Sequence, residues 1–343
     1  MQSKQITAKM LRAIFATGIL SFCGVVVETA MNITFPTLMK EFNVTTNTVQ
    51  WMTTSYLLIL AIIIPLSAIL KRKFKTRQLF LAANLLFTSG LIIDSAAPNF
   101  ILLLTGRLIQ GVGTGIALPL MFNIILEQVP QQKLGQMMGL GNLITAVAPA
   151  IGPSLGGLII SYLGWRYIFL LLLPFLILSF FLGITSIEQK YQLQQTSIDW
   201  PSFLLIISMF TTLILGLNGL GSHSFFSLPV LGLISIGILS CLALFIRSIS
   251  IKAPIIQLNI LKNRLFSGHL LAFFIFQMAV LSLAFTLPNY LQLVNHRSPS
   301  LSGMITFPGA ILGACLAPFG GKILDKLGAR KPILTGTSFS FIA

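Results

Sequence analysis

The chain has 343 residues, of which 55% are apolar and only 8% charged, and its formal net charge is +15 at pH 7. A soluble globular chain usually carries about a quarter charged residues, so there is too little charge here to solvate a globule of this size, and the bilayer is the solvent to reason with. The basic excess does not point to nucleic acid. Lysines and arginines sit in short clusters between apolar runs, such as Lys71, Arg72, Lys73, Lys75 and Arg77, rather than on one face of a soluble domain.

About 20 apolar residues are needed for a helix to cross a ~30 Å hydrocarbon core. Runs near that length predict helices over residues 11–33, 49–70, 79–97, 100–126, 136–161 and 166–186. Lys4, Lys9 and Arg12 precede the first run in the manner of a signal peptide, but the run is too long and lacks a small-residue cleavage site, so it reads as a first membrane helix. After a polar stretch from Glu188 to Asp199 come 200–220, 227–247, 265–292 and 300–323, then an apolar run from Pro332 that reaches only Ala343. The expected fold class is an all-α polytopic membrane protein with about ten complete transmembrane helices and a truncated eleventh. Its parts would be a six-helix half over 1–187, a two-helix insertion with flanking loops over 188–256, and an incomplete second half over 257–343.

With the N-terminus in the cytoplasm, most of the 22 lysines and arginines fall on the cytoplasmic side, while Lys40, Arg166 and Arg297 fall outside and Arg107 lies within a helix. That bias is the positive-inside pattern, and it predicts a multi-pass inner (plasma) membrane protein with a cytoplasmic N-terminus. Two cytoplasmic connections also echo one another, PLSAILKRKFKTRQ at 65–78 and APFGGKILDKLGARKP at 317–332. Each follows the second helix of a presumed half, and such repeats are how many transporters build alternating access around a midplane site.

The second connection carries Gly320, Gly321, Lys322, Asp325, Lys326, Gly328, Arg330 and Lys331 in a G-x-L-x-D-x-x-G-x-R-K arrangement. The glycines permit a tight helix-to-helix turn, the carboxylate suits the positive end of a neighbouring helix, and the basic residues hold the turn at the headgroups. A gating role is therefore expected for Gly321, Asp325, Gly328, Arg330 and Lys331.

Inside the membrane, Arg107 lies about 12 Å along its helix at 1.5 Å per residue, where an unpaired charge is expensive. It must face protein or water, as a static anchor to backbone carbonyls or as a partner for another charge. Glu28 is the only carboxylate well inside an apolar span, and either carries a proton beside Arg107 or snorkels to the outer headgroups. Asp94, at the end of the third helix, reads as a solvated terminus. Gly152-Pro153 bends the fifth helix, and Gly156 and Gly157 allow another helix to approach closely.

Taken together these segments resemble the major facilitator superfamily, specifically its fourteen-helix drug/proton antiporter family, over essentially the whole chain. Asn32 and Pro36 in VETAMNITFP match that family's first-helix signature, and Gln50, Trp51 and Tyr56 match the start of its second helix. Arg107, Gln110, Gly111, Gly113 and Gly115 are similar to its R-x-x-Q-G-x-G motif. Gly152, Pro153, Gly156 and Gly157 follow its antiporter signature, with Ala148 in the first place. The resemblance implies a proton-coupled secondary transporter exporting hydrophobic or cationic drug-like compounds, with Glu28 and Arg107 as the coupling pair and the lipid bilayer, protons and a small molecule as partners. Ala68, Arg72 and Lys75 stand where the family has Gly, Asp and Gly, and Val27 stands where it often has Asp, one place before Glu28.

Other chemistries find little support. His223, His269 and His296 fall near helix ends, Cys23, Cys241 and Cys315 fall inside apolar runs, and there is no hydrolase triad, phosphate-binding loop, zinc spacing or cofactor motif. A transporter rather than an enzyme is expected, with a nutrient or metabolite facilitator and a non-transporting membrane scaffold as the alternatives. The run after Lys331 would span only about 18 Å as a helix, so residues 1–343 alone are expected not to perform active transport.

Overall fold

The computed structural model describes residues 6–190, 193, 199–221, 224–251, 254–305, 307–309, 311–313, 316 and 330–342. Gly321, Asp325 and Gly328 of the expected gating loop, and likewise His223 and Cys315, lie outside the described residues.

Nine helices among the described residues are long and apolar enough to cross a membrane. They are α1 (Ala8–Phe42), α2 (Thr46–Lys73), α3 (Thr76–Ser95), α4 (Phe100–Gln128), α5 (Gln131–Tyr162), α6 (Arg166–Ser186), α7 (Trp200–Gly219), α8 (Leu228–Ser250) and α9 (Arg264–Leu293). Helix resumes at 299–305, 307–309 and 311–313 as α10, and Arg330–Ile342 forms α11, opening on Arg330 and Lys331.

Local chemistry sets where these helices start and stop. Thr7, Thr45 and Asn99 accept from Met10 N, Thr48 N and Leu102 N at 3.2, 3.3 and 2.9 Å, satisfying first-turn donors that a helix leaves unpaired. α1 runs about two turns past the predicted end at residue 33, carrying Asn32 and Pro36 inside the helix, and stops where Asn43 turns left-handed at φ 50°. Proline lacks only one donor, so a run this strongly apolar carries through it; Pro65 is met by a short 3₁₀ turn at Ile64–Leu66.

α1 and α4 lie at the centre of the first six helices, and one continuous core joins α1, α3, α4, α5 and α6 through residues such as Leu20, Val27, Phe80, Phe87, Met121 and Phe169. The loops divide into two faces. On the face that holds the N-terminus, Glu188 takes Lys9 at 2.6 Å and Lys190 at 3.1 Å, Lys71 pairs with Glu127, and Gln189 accepts from Thr76 N at 2.8 Å. Hydrogen bonds from Lys9 and Lys190 hold the exposed Glu188 carboxyl below the usual carboxylate range. On the far face, Glu41 accepts from Trp165 Nε1 at 2.6 Å and Arg166 Nη1 at 2.7 Å, while Arg166 Nη2 donates to the Ala97 carbonyl at 3.0 Å.

α7 and α8 form an antiparallel pair in which Gly216 lies against Ile234, Gly237 against Leu213, and Ser208 within 2.9 Å of Ser240. Arg247 grips Asp199 with two hydrogen bonds, at 2.9 and 2.6 Å, holding that carboxyl below its usual range. The pair docks on α2 through a small apolar cluster of Leu66, Ile206, Leu244 and Ile255.

α9 and α10 meet the first six helices near the far face. Phe285 lies edge-on to Phe35 at 5.6 Å, Gln292 Nε2 donates to the Ile33 carbonyl at 3.2 Å, and Ser154 Oγ donates to the Gly303 carbonyl at 3.1 Å. Elsewhere α9 is exposed; only its Pro288 is buried. Such a surface is apolar all round and belongs against lipid or other helices.

Candidate functional site: a buried arginine beside a central cavity

The glycines of α4 decide how its neighbours sit. A Cβ on Gly111 would meet Ile59 at 2.9 Å and the Tyr56 carbonyl at 3.0 Å, and one on Gly115 would meet Ile63 at 2.8 Å, so these two glycines admit α2. Gly113 faces α3 instead, 2.7 Å from the Ala83 carbonyl on the same measure. With both helices drawn in, the side chain of Arg107 has no route to water and is 0% exposed.

Its charge is met inside the protein. Nε donates to the Met52 carbonyl at 3.1 Å, Nη1 donates to Gln110 Oε1 at 2.8 Å, and the guanidinium carbon lies 4.2 Å from the centre of the Tyr56 ring. The Tyr56 hydroxyl donates to the Gly24 carbonyl at 3.0 Å and is 2.8 Å from Thr114 Oγ1, which ties α1, α2 and α4 together.

Gln110 passes the connection on, since its Nε2 donates to Asp94 Oδ2 at 2.7 Å. Asp94 is also 0% exposed, which corrects the expectation of a solvated helix end. Gly106 leaves no side chain between α4 and the carboxylate; a Cβ there would collide with Asp94 Oδ1. Two buried atoms of this network have no hydrogen-bond partner among the described residues, Asp94 Oδ1 and Arg107 Nη2.

Glu28 makes no hydrogen bond or ion pair among the described residues. It stands half-buried on a cavity of about 330 Å³ in the far half of the molecule, which Thr29, Asn32, Thr53, Leu57, Ser282 and Phe285 also line. Arg107 does not line that cavity but sits against Met52 and Tyr56 of α2, within electrostatic reach of Glu28 but not in an ion pair with it. Asn32 fixes the cavity wall by accepting from Thr53 Oγ1 at 3.0 Å. Pro36 borders a second cleft of about 620 Å³ toward the far face, with Lys40, Gln292 and Arg297.

The α5 motif does a different job. A Cβ on Gly152 would strike Thr29, and one on Gly156 would fall 2.8 Å from the Ala30 carbonyl, so both glycines bring α5 onto the back of α1. Gly157 and Pro153 face the other way, where Pro299, Ser300 and Gly303 at the start of α10 come within backbone contact.

A family model described as the Major Facilitator Superfamily matches residues 17–343. The chain belongs to the major facilitator superfamily. Among similar curated proteins is the lincomycin resistance protein LmrB of Bacillus subtilis (strain 168), 36% identical over 330 residues, covering 96% of this chain and 69% of that one. The riboflavin transporter RibZ of Clostridioides difficile (strain 630) is 30% identical over 316 residues, covering 91% of this chain and 67% of RibZ. The crystal structure of a peptide transporter, POT, in complex with sulfate shares the fold with a TM-score of 0.63 at 15% identity, over 94% of this chain and 70% of that one. The protein is thus a membrane transporter of the major facilitator fold, and a transporter rather than an enzyme.

The sequence singled out Arg107, Gln110 and the glycines of α4 and α5, but it assigned Asp94 to solvent and marked Tyr56 only as a match to the family's second helix. A signal for Asp94 was present. Gly90 and Asp94 on α3, like Gly106 and Gln110 on α4, are four residues apart and so share a helix face. A glycine one turn from a polar residue on each of two consecutive helices marks a place where polar side chains cross between close backbones.

Proposed function

We propose that this transporter exports hydrophobic or cationic drug-like compounds in exchange for protons, with Glu28 as the proton-carrying group and Arg107 as the charge that governs it. The observation that carries the reading is Glu28 itself, a carboxylate without a partner among the described residues, on a cavity between α1, α2 and α9, with the fully buried Arg107 within electrostatic reach. A carboxylate so placed binds a proton or a cation, but its field does not favour both at once. Residues 1–187 and 257–343 act as the parts that move against each other, with 188–256 an insertion docked on α2. The resistance function in the name of LmrB favours a drug, and RibZ favours a metabolite as the second reading.

The test uses everted membrane vesicles that hold a full-length transporter carrying these residues, and a pH-sensitive dye. Adding lincomycin or a lipophilic cation to acid-loaded vesicles is expected to release protons, and Glu28→Gln is expected to reduce that release at least about tenfold at equal membrane abundance. Undiminished release from Glu28→Gln would remove the proton from Glu28. Uptake of riboflavin-like compounds with no response to any drug would instead favour the metabolite reading.

The face that holds the N-terminus is proposed to be cytoplasmic, because the clusters around Lys73, Lys133, Lys190 and Lys262 gather there. Single cysteines at those four positions, in a background lacking Cys23, Cys241 and Cys315, are expected to resist an impermeant thiol reagent added to intact cells. Efficient labelling from outside would invert the topology.

A further inference from the structure

Among the described residues Arg107 is the only fully buried cation and Asp94 the only fully buried carboxylate, and one amide joins them: Arg107 Nη1 to Gln110 Oε1 at 2.8 Å, and Gln110 Nε2 to Asp94 Oδ2 at 2.7 Å. The place for Asp94 is built rather than incidental. Gly106 leaves the space its Oδ1 occupies, and Gly90 leaves the space for Gln110, whose Cγ would be 2.6 Å from a Cβ there. Asp94 is 0% exposed, so the groups it can act on are those inside the protein.

Those groups are few. Arg107 faces Asp94 from α4 through Gln110, Tyr56 lies beside the guanidinium from α2, and Glu28 on α1 stands within electrostatic reach of the same guanidinium. Beyond the turn at Ala97 stand Arg166, already held by Glu41, and the exposed Tyr167; deeper in α6 there is no ionisable group. The interior site therefore holds one cation and two carboxylates.

We propose that Asp94, positioned through Gln110, is the standing counter-ion of Arg107, and that it thereby leaves Glu28 free to take either a proton or a monovalent cationic substrate. This rests on the coupling reading given above. With Asp94 ionised beside Arg107, a protonated Glu28 leaves the site neutral, and loss of the proton to water leaves one net negative charge facing the cavity. A lipophilic cation restores neutrality. Proton and cation thus replace one another at constant charge. Without Asp94, an ionised Glu28 would be spent on Arg107, and its protonation would strand a bare cation in the protein.

The experiment measures binding of tetraphenylphosphonium to the purified protein as a function of pH. Wild type is expected to bind more tightly as pH rises through the deprotonation of Glu28. In Asp94→Asn, which keeps an acceptor for Gln110 but removes the charge, Arg107 would claim Glu28. Affinity at alkaline pH is then expected to fall about tenfold, and the midpoint to move at least about one unit toward acid, a tenfold loss of proton affinity. A merely structural Asp94 would leave the midpoint in place. Wild-type affinity and midpoint in Asp94→Asn would overturn the inference, as would a wild type that binds no tetraphenylphosphonium at any pH. Glu28→Gln separates the two levels: if its binding keeps the same pH dependence, the coupling reading itself fails, and if it loses that dependence while Asp94→Asn changes nothing, only the role of Asp94 fails. Should Asp94→Asn not accumulate in the membrane, adding Arg107→Gln is expected to restore its abundance by removing the unbalanced cation, and absence of rescue would overturn the proposal.

Discussion

In a full-length transporter carrying these residues, Arg107→Ala is expected to abolish substrate-driven proton release while the protein still inserts into the membrane. The arginine side chain meets three separate demands at once: a donor to the Met52 carbonyl, a donor to Gln110, and a planar cation over Tyr56. Alanine meets none, so Glu28 loses the positive charge that the proposed coupling requires. Insertion should not suffer, because a charged residue near the bilayer centre opposes insertion by about 2.5–3.5 kcal/mol and its removal relieves that cost. Arg107→Lys is expected to fail nearly as completely, since a lysine ammonium lacks the planar fork that reaches both acceptors while lying on a ring. Proton release would be read in everted vesicles at matched membrane abundance. Normal release from either variant would show that Arg107 is only an anchor.

The second large effect is expected at Gly156. Its α-carbon sits so near α1 that a Cβ would fall 2.8 Å from the Ala30 carbonyl and 3.0 Å from the Ala30 α-carbon. These are backbone atoms, which cannot rotate aside, so Gly156→Leu has to push α1 and α5 apart. Overpacking a well-packed interior costs about 1–3 kcal/mol, and here the displaced helix also carries Glu28, Asn32 and the Gly24 carbonyl that holds Tyr56. Transport is expected to drop at least about tenfold, and the melting temperature of the detergent-solubilised protein to fall by several degrees. Gly139→Leu, on the same helix but with nothing within 4 Å of its Cβ position, is expected to leave both unchanged. Equal behaviour of the two variants would mean that the α1–α5 contact is dispensable.

Both predictions start from residues that were visible in the amino-acid sequence, but what they rest on differs in origin. Length, hydropathy and the placement of basic clusters are local properties, and they sufficed to locate the spans, the loops and the all-helical class. In α4 and α5 the order of arginine, glutamine, proline and glycine also marked the segments that matter. The tertiary structure decided what each of those residues touches. Gly111 and Gly113 are neighbours in a single motif, yet one admits α2 and the other α3, because residues two apart on a helix point to nearly opposite sides. Asp94 looks like an end-of-helix carboxylate until α3 is rotated and shifted against α4 so that Gly90 and Gly106 meet, which places it over Gln110 and away from water. Glu28 and Arg107 are separated by 79 positions in the chain, and only the stacking of α1, α2 and α4 puts one on the cavity and the other, fully buried, within its electrostatic reach. Hydrophobic periodicity fixes how long a helix is, whereas the rotation and register between helices come from small-residue contacts summed over several interfaces, and no single segment contains them.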